Sequence, residues 1–183
     1  MAFFPDSMRS GDIIFFSEQP LLQLLQNARA LWRQVFLQKP DLLWNAMDDF
    51  GTMYLCTMPL VLAGAGITFC RAIRGEKSQR MSCALLLIYW GTSLMTGLFI
   101  NNVNINRINI IFYCHIAFAG IGVYSIIREW KRLAAGLAAV YGLLLVLFLN
   151  QYFTDWADQI EKHFFADFLE AVEYAGELEA DYY

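Results

Sequence analysis

Four stretches of this chain carry no Asp, Glu, Lys or Arg: residues 51–70, 81–100, 108–127 and 133–150. A helix rises about 1.5 Å per residue, so about 20 residues cross a hydrocarbon core about 30 Å thick. In lipid each backbone N–H and C=O must be bonded within its own segment, which selects helix for all four. The fourth stretch is slightly short and is expected to run on through Tyr152 and Phe153. Outside these stretches the pattern turns amphipathic. Over residues 20–38, Leu21, Leu24, Leu25, Ala28, Leu31, Trp32 and Val35 share one helical face, and Gln23, Gln26, Asn27, Arg33 and Gln34 fall opposite. That period predicts a helix lying flat in a leaflet or packed on the bundle. A second such helix is expected from Ala157 to about Ala175, capped by Asp155. Its buried face is expected to be Ile160, Phe164, Phe165, Phe168, Leu169 and Val172, with Asp158, Glu161, Lys162, Glu170 and Glu173 solvated.

The expected fold class is therefore all-α: an integral membrane four-helix bundle with flanking amphipathic helices. Its organisation is an outer-side segment over 1–50, the four spans over 51–150, and an acidic outer-side helix over 151–183. Orientation comes from the short loops, because Lys and Arg accumulate on the cytoplasmic side. The first loop holds Arg71, Arg74, Lys77 and Arg80 against Glu76; the third holds Arg128, Lys131 and Arg132 against Glu129. Two spans separate these loops, so both face the cytoplasm. The middle loop, residues 101–107, has Arg107 as its one base and faces out, as do both termini. Trp44, Tyr54, Tyr152 and Trp156 fall at the outer boundary and Trp130 at the inner one, where interfacial aromatics belong. The expected location is the plasma membrane.

Composition agrees with lipid as the main partner. Hydrophobic residues make up 58% of the 183 residues and charged residues 16%, against roughly 45–50% and about 25% in soluble domains. The net charge of −4 is concentrated at the end: residues 151–183 hold nine acidic residues and one Lys, Lys162. Nothing in this pattern suggests a nucleic-acid surface. Cys56, Cys70, Cys83 and Cys114 form no C-x-x-C pair and are read as packed free thiols. His115 and His163 have no Cys or carboxylate at metal-ligand spacing, so no metal site is expected. His115 is expected to be hydrogen-bonded inside the bundle, although an intramembrane ionisable group is also a candidate for function. No cofactor is called for, and a divalent metal stays open. Small residues at Ala63, Gly64, Ala65 and Gly66, at Ala119, Gly120 and Gly122, and at Ala135, Ala139 and Gly142 predict close helix contacts.

Residues 1–10 lack the basic and apolar pattern of a secretory signal, yet the topology places the first fifty residues outside. With the chain stopping just past an amphipathic helix, this fits a segment of a longer polytopic protein, whose remainder would be a partner.

Three stretches carry a resemblance. Residues 44–66, WNAMDDFGTMYLCTMPLVLAGAG, run from a Trp-containing loop through G-T-x-Y into a span with Pro59. Residues 101–112, NNVNINRINIIF, form an outer loop ending in N-x-N-R before a span. Residues 153–175, FTDWADQIEKHFFADFLEAVEYA, form an aromatic and acidic helix after the last span. Together they resemble the C-terminal membrane region of bacterial GT-C glycosyltransferases, the polytopic enzymes related to protein mannosyltransferases and the aminoarabinose transferase (family 39-like). The resemblance implies a polyprenyl-phosphate-linked sugar as donor and transfer on the outer face. It implies a catalytic carboxylate in the first outer loop of the full enzyme, acting as general base on the acceptor hydroxyl. That loop has no counterpart here, so the catalytic residue is unknown and the chain is expected to be inactive alone. Asp48 and Asp49 sit in the wrong part of the family order, and the role is not carried over to them; they read as a solvated pair.

Arg107 is the residue of most interest. Arg suits bidentate phosphate contacts, and the candidate site is Arg107 on the lipid phosphate, with Asn102, Asn104 and Asn106 offering amide hydrogen bonds. The competing reading is a snorkelling Arg in a polar connector. From another class comes a small non-enzymatic membrane protein that binds a partner through its outer acidic tail. A transporter fits less well, because its helices would carry more polar or broken segments near the midplane.

Overall fold

A computed structural model describes residues 19–164 and 166–177. Among them the chain is all-helical, with four helices long and apolar enough to cross a membrane. It divides into two compact units, Met1–Ala134 and Ala135–Tyr183. The protein is membrane-embedded on this ground of helix length and apolarity.

The first unit begins with α1 (Pro20–Leu31), which tightens into a single π turn, Trp32–Phe36. A loop then leads through a 3-10 turn, Leu55–Thr57, into α2 (Met58–Arg74). Next come α3 (Lys77–Phe99), the one-turn α4 (Ile105–Ile108) and α5 (Ile110–Glu129). The first span thus starts at Leu55 rather than Gly51. Gly51 is spent on the loop, with a positive φ of 65°, and Pro59 stands in the first helical turn, where its missing N–H costs nothing.

α2 and α5 form the tightest pair. A Cβ on Gly64 would lie 1.8 Å from the Phe118 carbonyl oxygen, and one on Gly122 would lie 2.3 Å from that of Leu60. Each helix therefore gives up a side chain where the other's backbone passes, the small-residue solution to helix contact in lipid. The neighbouring Gly66 and Gly120 meet nothing within 4 Å, so of the four glycines on α2 and α5 it is Gly64 and Gly122 that sit at the crossing. Gly97 on α3 does a lesser version of the same, against Leu31 and Ile108.

Two apolar clusters flank the crossing. One joins Leu31, Val35, Val103, Ile105, Ile108, Ile111 and Phe112. The other joins Met58, Val61, Cys114 and Phe118, and Met53 and Trp90 pack against both. Hydroxyls inside the spans bond back one turn: Thr68 to the Gly64 carbonyl at 2.7 Å, Ser93 to Tyr89 at 2.7 Å, Ser125 to Ile121 at 2.8 Å. This satisfies them where no water is present.

In the second unit, α6 (Lys131–Gln151) carries the chain on. It passes through a π turn, Tyr152–Trp156, into α7 (Ala157–Phe164), followed by α8 (Ala166–Glu177). The fourth span extends well beyond Tyr152 and Phe153, as one helical run Lys131–His163. Asp155 consequently sits inside the π turn and makes no cap. Phe148, Tyr152, Phe153 and Trp156 form a continuous aromatic group, with Tyr152 centred 5.0 Å from both Phe153 and Trp156. In the expected apolar face, Phe168 and Val172 are exposed; Phe165 and the side chains of Phe164 and Leu169 lie outside the described residues.

Leu at position 64 or 122 should force α2 and α5 apart. Either change is expected to cost on the order of 1–3 kcal/mol or more by overpacking, read as a lowered Tm in detergent. Gly66→Ala and Gly120→Ala should leave Tm unchanged. Equal losses at all four positions would mean that the crossing lies elsewhere.

Candidate functional site

The turn from α3 to α5 holds all four sequence-predicted site residues, and its shape is set from outside the turn. The backbone leaves helix at Ile100 and re-enters at Ile105, so the last carbonyls of α3 need donors. They come from amides on α1. Asn27, 2% exposed, donates its Nδ2 to the Leu98 carbonyl at 2.8 Å and also to the Ile100 carbonyl. Gln23 Nε2 donates to the Asn101 carbonyl at 2.9 Å, and Gln34 Nε2 to that of Val103 at 3.3 Å.

α1 and its π turn therefore meet the bundle with a mixed face. Leu31 and Val35 of the expected apolar face are buried, but so are Asn27 and Gln34 of the polar one, whereas Leu21, Leu25 and Trp32 are exposed. The physical reason is the solvent. In lipid an apolar side chain gains little by turning inward, while an unpaired carbonyl costs several kcal/mol by the general estimate, so the amides are drawn in beside Leu31 and Val35. Leu21, Leu25, Ala28 and Trp32 follow i, i+4, i+7, i+11 and give α1 and its π turn an exposed apolar stripe beside the amide stripe.

The loop after α1 adds a second frame. Gln38 takes a positive φ of 54°. Its Oε1 accepts the Met53 N–H at 2.7 Å and its Nε2 donates to the Val35 carbonyl. A Cβ on Gly51 would come within 2.6 Å of Gln38 Cβ and O, so the loop closes on itself only with glycine there. Inside it, Asn45 Nδ2 donates to Asp41 Oδ1 at 2.8 Å, and Asp41 Oδ2 accepts the Ile105 N–H at 3.3 Å. Asn106 Nδ2 donates to Asn45 Oδ1 at 2.8 Å.

The four site residues divide by these contacts. Asn104 is the N-cap of α4, its Oδ1 accepting the Arg107 N–H at 3.0 Å. Asn106 ties the turn to the 38–54 loop. Asn102 and Arg107 are exposed, as are Asp48 and Asp49 three and four residues past Asn45. The structure brings residues 44–66 and 101–112 into direct contact through Asn45 and Asn106. Of the framing residues, Asn27 and Gln34 are placed by the sequence only on the polar face of an amphipathic helix, and Gln38 and Asp41 are not singled out. A signal was there: Gln23, Asn27, Gln34 and Gln38 are spaced 4, 7 and 4 residues apart, one amide stripe along a helix.

His115 differs from expectation. It is fully buried, and neither ring nitrogen has a hydrogen-bond partner. Its neighbours are aromatic: Phe36, Phe112 and Trp90, with ring centroids 5.9, 6.0 and 6.1 Å away. It packs as an aromatic ring at the join of the π turn, α3 and α5. The cysteines are free, and only Cys114 is buried; Cys56 and Cys70 are exposed. Among the described residues no three His, Cys, Asp or Glu come together to hold a metal ion.

Fold and site define a polytopic helical membrane protein with an amide-framed turn at one end of a three-span unit. No family model, curated protein or solved structure matches the chain.

Replacing Asn27 tests the frame. Asn27→Ala leaves two carbonyls without their donor and should cost about 1–3 kcal/mol. Asn27→Asp should cost more at neutral pH, because it sets a carboxylate against two carbonyl oxygens. Acidification should then recover part of the loss, since a protonated carboxyl can donate one bond. Thermal unfolding of both variants at two pH values measures this; an Asp variant as stable as wild type at neutral pH would remove the amide from its assigned role.

Proposed function

We propose that this chain is a membrane region of the GT-C glycosyltransferase kind, supplying scaffold and part of the groove that holds a polyprenyl-phosphate-linked sugar. The observation that carries the reading is the framed turn. Two of the three family-like stretches meet there, and the amide contacts hold Arg107 on a rigid support at one end of the spans. A guanidinium at a membrane boundary is suited to a lipid phosphate. In this reading Arg107 and Asn102 face the phosphate, and Asn104 and Asn106 hold the shape of the turn. The turn and α1 lie on the non-cytoplasmic side of the plasma membrane, with the loops around Glu76 and Lys131 in the cytoplasm. The basic residues of those two loops support this orientation.

Arg107→Lys keeps the charge and loses the planar fork; Arg107→Ala loses both. Binding of a polyprenyl phosphate to the purified protein should weaken in the Lys variant and further in the Ala variant. A lost charged hydrogen bond corresponds to about 1.5–3 kcal/mol, roughly ten- to a hundredfold in affinity. Interfacial water reduces that figure. Full substitution by Lys would favour snorkelling, and equal affinity in all three proteins would leave the turn a connector.

Orientation is checked separately, in a variant with its own cysteines replaced. An impermeant thiol reagent applied to intact cells should label a cysteine at position 104 and leave one at position 76 unlabelled. The reverse pattern would invert the topology.

A further inference from the structure

The hairpin tip between α2 and α3 carries charge that its helices do not favour. α2 ends with Arg71 and Arg74 in its last turn, which suits the negative end of a helix. α3 begins with Lys77 and reaches Arg80 within its first turn, with no acidic residue there, and Glu76 at its N-cap makes no side-chain capping bond. Basic groups at the positive end of a helix are locally unfavourable. An anion at the tip would remove that conflict and use the uncapped N–H groups as well.

Two grooves run from the same basic residues along the apolar flanks of the helices. One, of about 600 Å³, passes between Ala63, Gly66, Ile67 and Cys70 under Arg71 and Arg74. The other, of about 620 Å³, passes along Met81, Ala84, Leu85 and Ile88 under Lys77 and Arg80. Each is a shallow, open apolar hollow on the flank of a membrane-spanning stretch, with two cations at one end. A third groove, of about 400 Å³, supplies the contrast. It runs past Ile67, Ile126 and Leu133 but is headed by Glu129 and Trp130, and a carboxylate repels a phosphate.

We propose that the α2–α3 tip is a binding site for an anionic phospholipid. Its headgroup phosphate lies among Arg71, Arg74, Lys77 and Arg80, and its acyl chains occupy the two grooves. A lipid, rather than a free phosphate, fits because the cations continue directly into apolar hollows along spanning helices. Basic pockets beside spanning helices recognise anionic headgroups through this combination of charge and groove. The site is at the opposite end of α3 from the amide-framed turn and does not depend on the donor-lipid reading.

The test uses the purified full chain in a mild detergent with three additives: phosphatidylglycerol, phosphatidylcholine, and water-soluble glycerophosphoglycerol. Bound lipid is counted by native mass spectrometry and stabilisation by Tm. Phosphatidylglycerol is expected to remain bound and raise Tm, and the other two to do neither. Arg71→Gln with Arg74→Gln should weaken phosphatidylglycerol binding roughly tenfold or more. Gly66→Phe should block one groove, and the fold should survive because a Cβ there meets nothing within 4 Å. The triple variant Arg128→Gln, Lys131→Gln, Arg132→Gln should bind as wild type does. Equal retention of phosphatidylcholine would overturn the proposal, and so would equal binding of the soluble headgroup. An equal loss in the triple variant would reduce the effect to loop charge, and unchanged binding in Gly66→Phe would remove the grooves. The comparison of the three additives on the unmodified protein decides the matter even if a variant does not fold.

Discussion

In the crossing of α2 and α5 each backbone touches the other at a glycine. Gly64 lies against the Phe118 carbonyl and Gly122 against that of Leu60. In lipid, apolar area alone gives helices little reason to associate, because lipid tails are as apolar as Leu. Close approach and dispersion must do it instead. With this pair fixed, Val61, Cys114 and Phe118 close into one cluster and Trp90 of α3 docks edge-on to Phe118, ring centroids 5.4 Å apart. α5 is thereby set at a definite angle, and that angle determines where its first turn, and so the 101–107 turn, emerges.

The second constraint is polar. Wherever a spanning helix ends and the chain does not return directly to water, carbonyls need partners. Here the partner is a helix that supplies side-chain amides on one stripe and presents Leu and Trp on the next. α1 hydrogen-bonds to the bundle on one side and exposes an apolar stripe on the other. The π turn at Trp32–Phe36 adds a residue to the helical repeat. Within it Gln34 and Val35 face the protein while Trp32, at its start, faces out.

The spans were legible because a charge-free run of about 20 residues has one reasonable conformation in a bilayer. Their edges were less so. Nothing local tells that Gly51 closes a loop on Gln38, since the clash a side chain would meet there comes from a residue thirteen positions away. Small residues marked the helix contacts, yet of Gly64 and Gly66 only the first is used, because the choice depends on which face the partner helix presents. The rule that apolar residues turn inside holds for Leu31 and Val35 but not for Asn27 and Gln34, which are drawn in by carbonyls about 70 residues later in the chain that no local pattern reveals. His115 was assigned a hydrogen bond on the general habit of buried polar groups; its three aromatic neighbours come from three separate elements, and no sequence pattern joins them. Arg107 and its asparagines were found from a short motif, whereas the residues that frame them were hidden in a helix read as a surface feature.

The amide contacts of α1 also constrain the order in which the molecule can assemble. Asn27 is bonded to residues 71 and 73 positions later in the chain, and Gln23 to one 78 positions later. A growing chain makes α1 first, yet its hydrogen-bond acceptors do not exist until the third charge-free stretch is about to be made. In the interval Gln23 and Asn27 have each other, one turn apart at 3.0 Å, but not the carbonyls they will hold. The frame around the 101–107 turn can therefore close only after the end of α3 has been made.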